Sequence, residues 1–325
     1  MTAPPSIMAA IYGKAKKKKT SDSLAAFPNG LFIGVPSALR LVAENELGFT
    51  PRVYETPPRT LPELTQLLAA LAPQASQFDA LIVDDASHLC RQSMLVWEDQ
   101  APMGRSGKRD RFWPYQQLQR HLMELMGVAR HLGVHFIANF HERPPGATMD
   151  GVFSPGGPEL PSRNQTEALP AWFDICVRAV IDPDNPDPWF KSAYYCDASD
   201  AQWVTGDRTG VCGVKTPGNL REILRASNSG YALPRLPGME WQDTVADEVA
   251  ARVLAGEDVE SLVKDLASED RFEKVSPLHL RWACQDGIAR GVLQAHRTQG
   301  LFTFTRTSSG SDGASPPPPP PPSST

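Results

Sequence analysis

A strand-length apolar run, Ile7–Tyr12, leads directly into Gly13-Lys14-Ala15-Lys16-Lys17-Lys18-Lys19-Thr20, and a helix-compatible stretch follows. Few folds use that order of parts. Against the pattern G-x-x-x-x-G-K-[ST], Gly13 supplies the first glycine, Lys19 the lysine and Thr20 the hydroxyl, while Lys18 stands where the second glycine belongs. In such a loop the main-chain amides wrap phosphate oxygens, the lysine pairs with the β and γ oxygens, and the hydroxyl coordinates Mg2+. Gly13, Lys14, Ala15, Lys16, Lys17, Lys18, Lys19 and Thr20 are therefore candidate nucleotide-binding residues, and Thr20 is also a candidate metal ligand. A side chain at position 18 puts a Cβ where backbone should approach phosphate, which subtracts from binding. The left-handed backbone it would adopt costs about 1–3 kcal/mol, which a folded domain absorbs. Neighbouring lysines offset part of the loss by attracting a triphosphate, but they do not rebuild the amide cradle. The same segment also reads as a solvated basic loop, or as a nucleic-acid phosphate patch with no nucleotide involved.

Beyond the loop, short apolar runs alternate with helix-length segments, the pattern of a parallel sheet with helices on its faces. The expected strands are Ile7–Tyr12, Leu31–Val35, Arg52–Glu55, Ala80–Asp84 and Val134–Phe140. Leu61–Leu71 and Gln116–Leu132 carry apolar residues at helical spacing, with Leu118, Leu122, Leu125, Met126 and Ala129 on one face. Ile175–Ile181, Phe190–Cys196 and Gln202–Thr205 read as strands added at one edge, followed by a loop, Thr209–Gly218, and a short helix, Asn219–Ala226. The run Ala80–Asp84 ends in two acids, as a Walker B strand does, which makes Asp84 a candidate Mg2+ ligand and Asp85 a candidate for polarising the attacking water. Glu55, at the end of the expected strand Arg52–Glu55, is the second candidate for that task. In Val134–Glu142 the polar residues fall at the C-terminal end, where parallel sheets bind ligands, so Asn139 or His141 could sense the γ-phosphate or simply cap the strand. Gly133 and the change from helix to strand separate His131 from His135 and argue against a shared metal site. Asp207-Arg208 and Lys215 could offer a cation to a neighbouring subunit or form surface salt bridges. The aromatic residues between Trp189 and Trp203 read as core.

A chain of 325 residues with 41% hydrophobic residues has material for a sizeable core. Its net charge of −5 means that only local basic clusters can recruit phosphates. The cysteines Cys90, Cys176, Cys196, Cys212 and Cys284 form no C-x-x-C pair and are odd in number, so they read as reduced thiols of a cytoplasmic protein. No apolar run reaches the roughly 18 residues of a membrane span, and Met1-Thr2-Ala3-Pro4-Pro5 does not open a signal peptide. After Leu233–Gly238 the character changes to helical segments, Trp241–Ala255, Glu260–Leu266 and Leu278–His296. From Thr305 the chain is Ser/Gly-rich and then carries the seven prolines Pro316–Pro322. The expected division is therefore 1–237 for the α/β domain, 238–304 for a helical appendage and 305–325 for a disordered tail.

The order Ile11–Thr20, Leu31–Pro36, Leu81–Asp85 and Phe136–Glu142 resembles the phage-encoded RecA-like P-loop ATPases that include the Sak-four type of recombinase. Pro155-Gly156-Gly157-Pro158, Phe173-Asp174, Thr205–Arg208 and Pro217–Leu220 agree with it, so the likeness covers about residues 7–235. The resemblance implies a RecA-like α/β domain with a mostly parallel central sheet. It further implies ATP and Mg2+ as ligands, assembly into a homo-oligomeric ring or filament, and a role in phage DNA recombination or replication alongside single-stranded DNA. The departure at Lys18 bears on hydrolysis. A subunit that keeps the fold without hydrolysing ATP, and turns its lysines to nucleic-acid phosphates or scaffolding, is the other reading.

Overall fold

The computed structural model describes residues 6–35, 39, 50–104, 107–147, 151–182, 192–197, 199–217, 220, 223–224 and 252, and the backbone of 293–298 and 301–306. Two compact units make up the chain, Met1–Glu240 and Trp241–Thr325. In the first, β1 (Met8–Tyr12) is followed by α1 (Lys19–Ala26), β2 (Leu31–Gly34), β3 (Arg52–Val53), α2 (Leu61–Leu71) and β4 (Ala80–Asp84). Next come α3 (Ala86–Gln100), α4 (Trp113–His131) and β5 (His135–Phe140). Short ribbons follow, β6 (Glu142–Arg143) with β9 (Gly157–Pro158) and β7 (Gly146–Ala147) with β8 (Phe153–Ser154). The unit continues with α5 (Arg163–Ala168), β10 (Ile175–Ile181), β11 (Ser192–Tyr195), β12 (Gly206–Asp207) and β13 (Lys215–Pro217).

The main sheet runs β13-β11-β10-β1-β5-β4-β2-β3, with β12 paired to β10. Pairings from β10 to β3 are parallel, and those of β11, β12 and β13 are antiparallel. This is the mostly parallel α/β sheet that the sequence leads one to expect. Strands buried on both faces read as unbroken apolar runs, and β4 and β10 begin and end where their apolar runs do. Met8, Ala10, Tyr12, Leu81, Val83, Phe136 and Ala138 face a core built with Leu64 and Leu68 of α2, Leu89 and Met94 of α3, and Leu118, Leu122 and Leu125 of α4. Residues of the other parity, such as Ile137 and Asn139, face α1.

Local chemistry starts the helices. Thr60 caps α2 by accepting from the Glu63 amide at 3.4 Å, while the Glu63 carboxylate accepts from the Arg59 amide at 2.7 Å. Pro114 sits in the first turn of α4, which therefore begins three residues before the expected Gln116.

Several expectations are corrected. Helix α3 was not foreseen. Gln202–Thr205 is not a strand; the strand at that edge is β12, which begins directly after it at Gly206, and Trp203 makes an isolated bridge to Gly156. Thr209–Gly218 is not all loop, because β13 pairs there with β11. In the second unit, β14 (Leu293–Thr298) and β15 (Leu301–Arg306) form an antiparallel hairpin where a helix was expected to reach His296 and a tail to begin at Thr305. Alternation of Phe302 and Phe304 with Leu301, Thr303 and Thr305 suits a strand better than a helix. The rest of the expected helical appendage, apart from Arg252, and the proline tail lie outside the described residues. Among the described residues no helix is long and apolar enough to cross a membrane.

Candidate functional site

Strand register brings the distant sequence elements together. Ile11 lies beside Asn139, Asn139 beside Asp84, and Asp84 beside Gly34, so the C-terminal ends of β1, β5, β4 and β2 form one edge. The chain can cross that edge so closely only with glycine at two points. A Cβ on Gly13 would lie 2.5 Å from the Ala179 carbonyl oxygen of β10, and one on Gly34 would lie 2.0 Å from the Asp84 carbonyl oxygen. Gly13 is thus required by strand packing.

From Gly13 the loop rises through exposed Lys14, Ala15 and Lys16 to half-buried Lys17 and Lys18, then turns into α1. Lys18 is the residue preceding α1 and sits at φ 64°, ψ 12°, in the left-handed region that a glycine would enter freely. Lys16 is left-handed too, at φ 62°. Lys19 is buried, and its ammonium donates to the carbonyls of Gly13 at 2.9 Å and Lys14 at 3.0 Å. Burial holds that ammonium below the usual lysine range, opposed by the negative charges of Asp84, Asp85 and Glu142.

The Thr20 hydroxyl donates to Asp84 Oδ2 across 64 residues of sequence. Asn139 Nδ2 reaches the same carboxylate oxygen at 3.4 Å, and Ser23 donates to Asn139 Oδ1 at 3.2 Å. Burial pushes the Asp84 carboxyl above the usual range, the Thr20 hydrogen bond and the Lys19 charge pull it back, and Asp85 pushes it further up. Asn139 is fully buried and holds the acid in place. Ser23, one turn after Lys19, was missed in the sequence, where its only signal was helical spacing from the loop lysine.

Both Asp85 oxygens are engaged. Oδ1 caps α3 by accepting from the His88 amide, and Oδ2 lies 2.8 Å from His141 Nε2. His141 is anchored in turn, its amide donating to Ser87 Oγ at 3.0 Å. Glu55 is exposed and makes no hydrogen bond or ion pair among the described residues. It lines a cavity of about 270 Å³ with Gly34, Arg59, Asp84, Asp85 and His88.

A further cluster at this edge was not foreseen. Arg178, beside Tyr12 in the sheet, pairs with the buried Glu142 at 2.9 Å and lies 3.3 Å over the Trp203 ring. The cations considered for a neighbouring subunit are engaged within this chain. Lys215 pairs with Asp182 at 2.6 Å, and the Arg208 guanidinium donates to the Ala171 carbonyl. Asp207 accepts from Thr209 and from the Cys212 amide, and these bonds hold its carboxyl below the usual range although burial alone would raise it. His131 is exposed at the end of α4, whereas His135 is buried and accepts from the Ile7 amide at 3.0 Å, so the two serve different surroundings.

Comparison with known proteins places the chain. A family model described as an AAA domain matches residues 6–209. No curated protein matches. Among solved structures, one titled "Crystal structure of the RadB recombinase" is similar at 16% identity with a TM-score of 0.35, over 59% of this chain and 80% of that one. That likeness is too slight to argue from.

Proposed function

The chain belongs to the AAA domain family, and from that premise we propose that it binds Mg·ATP at Gly13–Thr20 and hydrolyses it in the service of DNA recombination or replication. The observation that carries the reading is the contact of Thr20 with Asp84, a loop hydroxyl and a strand-end carboxylate meeting beside a buried lysine. These are hard oxygen donors of the kind Mg2+ takes, already arranged on rigid elements, so the residues fit the ion. Thr20 Oγ1 and Asp84 would hold it, directly or through water. An ion held there would supply positive charge to offset that of the phosphates.

Lys19 now satisfies its ammonium on two loop carbonyls and would exchange them for phosphate oxygens, a stronger charge-assisted bond. Asp85 is the less free of the two candidates for polarising water, since His141 and the α3 amide already occupy it. Within this proposal Glu55 takes the proton-accepting role, and the Asp85–His141 pair orients the strand ends towards the γ-phosphate. Lys14 and Lys16 through Lys18 add attraction for a polyphosphate. The phage setting, the host cytoplasm, the homo-oligomer and the partnership with single-stranded DNA rest on the sequence resemblance. The division into an ATPase domain over 1–237, an appendage and a tail rests on the change in sequence character along the chain.

The test is equilibrium binding of a fluorescent ATP analogue with Mg2+ or with chelator, for the natural chain and for Lys19→Ala and Thr20→Ala, together with phosphate release. Lys19→Ala should weaken binding about tenfold or more, on the order of the 1.5–3 kcal/mol of a charge-assisted hydrogen bond, and Thr20→Ala should abolish the benefit of Mg2+. Equal binding by all three, with or without Mg2+, would reject the assignment. Lys18 in the glycine place favours the second reading, a subunit that does not hydrolyse ATP and uses its lysines on nucleic acid. That reading is correct if no turnover is found while single-strand affinity falls steeply with salt and is lost on removal of Lys14 and Lys16–Lys18.

A further inference from the structure

Two cysteines far from the phosphate loop meet at the antiparallel edge of the sheet. The last β11–β13 pair is Tyr195 with Lys215, and the pairing continues as the Cys196 amide donates to the Val214 carbonyl at 3.2 Å. Cys212, two residues before Val214, therefore lies near Cys196. Its thiol interacts with that of Cys196. Position 212 is fixed from behind, because its amide donates to Asp207 Oδ2 at 2.8 Å. Cys196 is 8% exposed and Cys212 half-buried, so a small oxidant reaches the pair from the Cys212 side. Cys90 and Cys176, by contrast, are sealed in the core.

We propose that Cys196 and Cys212 are a redox-modification site, a dithiol that a hydroperoxide converts to an intrachain disulfide. The interaction with Cys212 holds the Cys196 thiol below its usual value against burial and pushes that of Cys212 up, which favours Cys196 as the nucleophile. Its thiolate attacks the terminal peroxide oxygen. A sulfur–oxygen bond forms, the oxygen–oxygen bond breaks, and the leaving alkoxide or hydroxide takes the thiol proton. The Cys212 sulfur then displaces the hydroxyl of the sulfenic acid, forming the sulfur–sulfur bond and releasing water with the second proton. Two thiols lose two electrons and two protons, and the peroxide is reduced to an alcohol, or water, plus water. The bond staples β11 to the segment before β13. Tyr194 of β11 donates to Asp22 of α1, so the staple stiffens the edge that braces the phosphate-loop helix.

Arg208 lies between the cysteines, and trypsin cuts at Lys191, Arg208 and Lys215 would put them on separate peptides, 192–208 and 209–215. The full chain is treated with hydrogen peroxide, alkylated and digested, and the linked peptides are measured by mass spectrometry, alongside protein oxidised in urea and a Cys212→Ser variant. We expect the 192–208/209–215 pair as the dominant link in folded monomer, its loss in Cys212→Ser, and a thermal midpoint raised by about 5 °C that reductant reverses. The Cys212→Ser chain should keep the reduced protein's midpoint. The proposal is overturned if folded protein reaches sulfinic acid at these cysteines without linking. A link no more abundant in folded than in unfolded protein, or links dominated by other cysteines, overturns it equally.

Discussion

Lys18→Gly separates what the loop loses in stability from what it loses in binding. Lys18 and Lys16 both sit in the left-handed region, at φ 64° and 62°. A non-glycine residue there costs about 1–2 kcal/mol, while a glycine adds about 0.5–1 kcal/mol of unfolded-state entropy, so each substitution should stabilise by roughly 0.5 kcal/mol. For a domain of this size that is a thermal midpoint higher by about 2 °C. The two positions differ in what they face. Lys16 is exposed in mid-loop, whereas Lys18 is half-buried where the loop turns into α1. Removing its side chain should let the main chain at the α1 N-terminus approach phosphate, and one recovered charge-assisted hydrogen bond, less one lysine charge, is worth about a tenfold gain in Mg·ATP affinity. Lys16→Gly gives up a charge with no such return and should bind slightly more weakly. Calorimetric melting and titration of both variants with Mg·ATP check this. Equal affinity changes in the two variants would refute the steric account of position 18, and an unchanged or lower midpoint in both would refute the strain account.

His135 supplies a pH dependence. Burial holds its imidazole at about 4, against 6.5 in water. A base depressed in the folded state is protonated first in the unfolded chain, so its contribution is intact above 6.5 and is lost as pH falls from 6.5 towards 4. Between about pH 7 and pH 5 this amounts to roughly 2 kcal/mol, and denaturant melts of the natural chain and His135→Gln should differ in pH slope by that much. Gly13→Ala drives a Cβ to 2.5 Å from the Ala179 carbonyl oxygen and should destabilise by about 2–3 kcal/mol without any nucleotide present, read as a lower denaturant midpoint. Tyr12 buries a hydroxyl that finds no hydrogen-bond partner among the described residues, so Tyr12→Phe should raise stability by about 1 kcal/mol in the same assay.

What could be read from the sequence depended on whether the signal was local. β4 and β10 were legible because a strand buried on both faces is an apolar run with polar ends, and α4 because its leucines repeat at helical spacing. Helix α3 was not, because its buried face is Ala86, Ser87, Leu89, Cys90, Ser93, Met94 and Trp97. Ser93 is inside because its hydroxyl accepts from the Leu61 amide at the start of α2 and donates back to Leu89, a tertiary contact that no period announces. The Gly13–Thr20 loop and Asp84 could be picked out because each is one chain segment. Their meeting could not, since it depends on the register that sets Asp84 beside Asn139 and Asn139 beside Ile11.

The same distinction explains why Asp85 looked like a free base in the sequence and is bound in the fold. An acid after a strand is also the residue that caps the next helix, and Asp85 does so through the His88 amide. Its other oxygen goes to His141, placed within reach only because β5 lies beside β4. For Asp85 to accept a proton from water it must first release His141, whereas Glu55 need release nothing among the described residues. Replacement of either acid should therefore give different signatures: Glu55→Gln lowers turnover with nucleotide affinity kept, and Asp85→Ala disturbs both, because it also removes the α3 cap and the strand-end pair. Phosphate release and analogue binding measured on the two variants decide between the acids, and turnover that survives Glu55→Gln would return the role to Asp85.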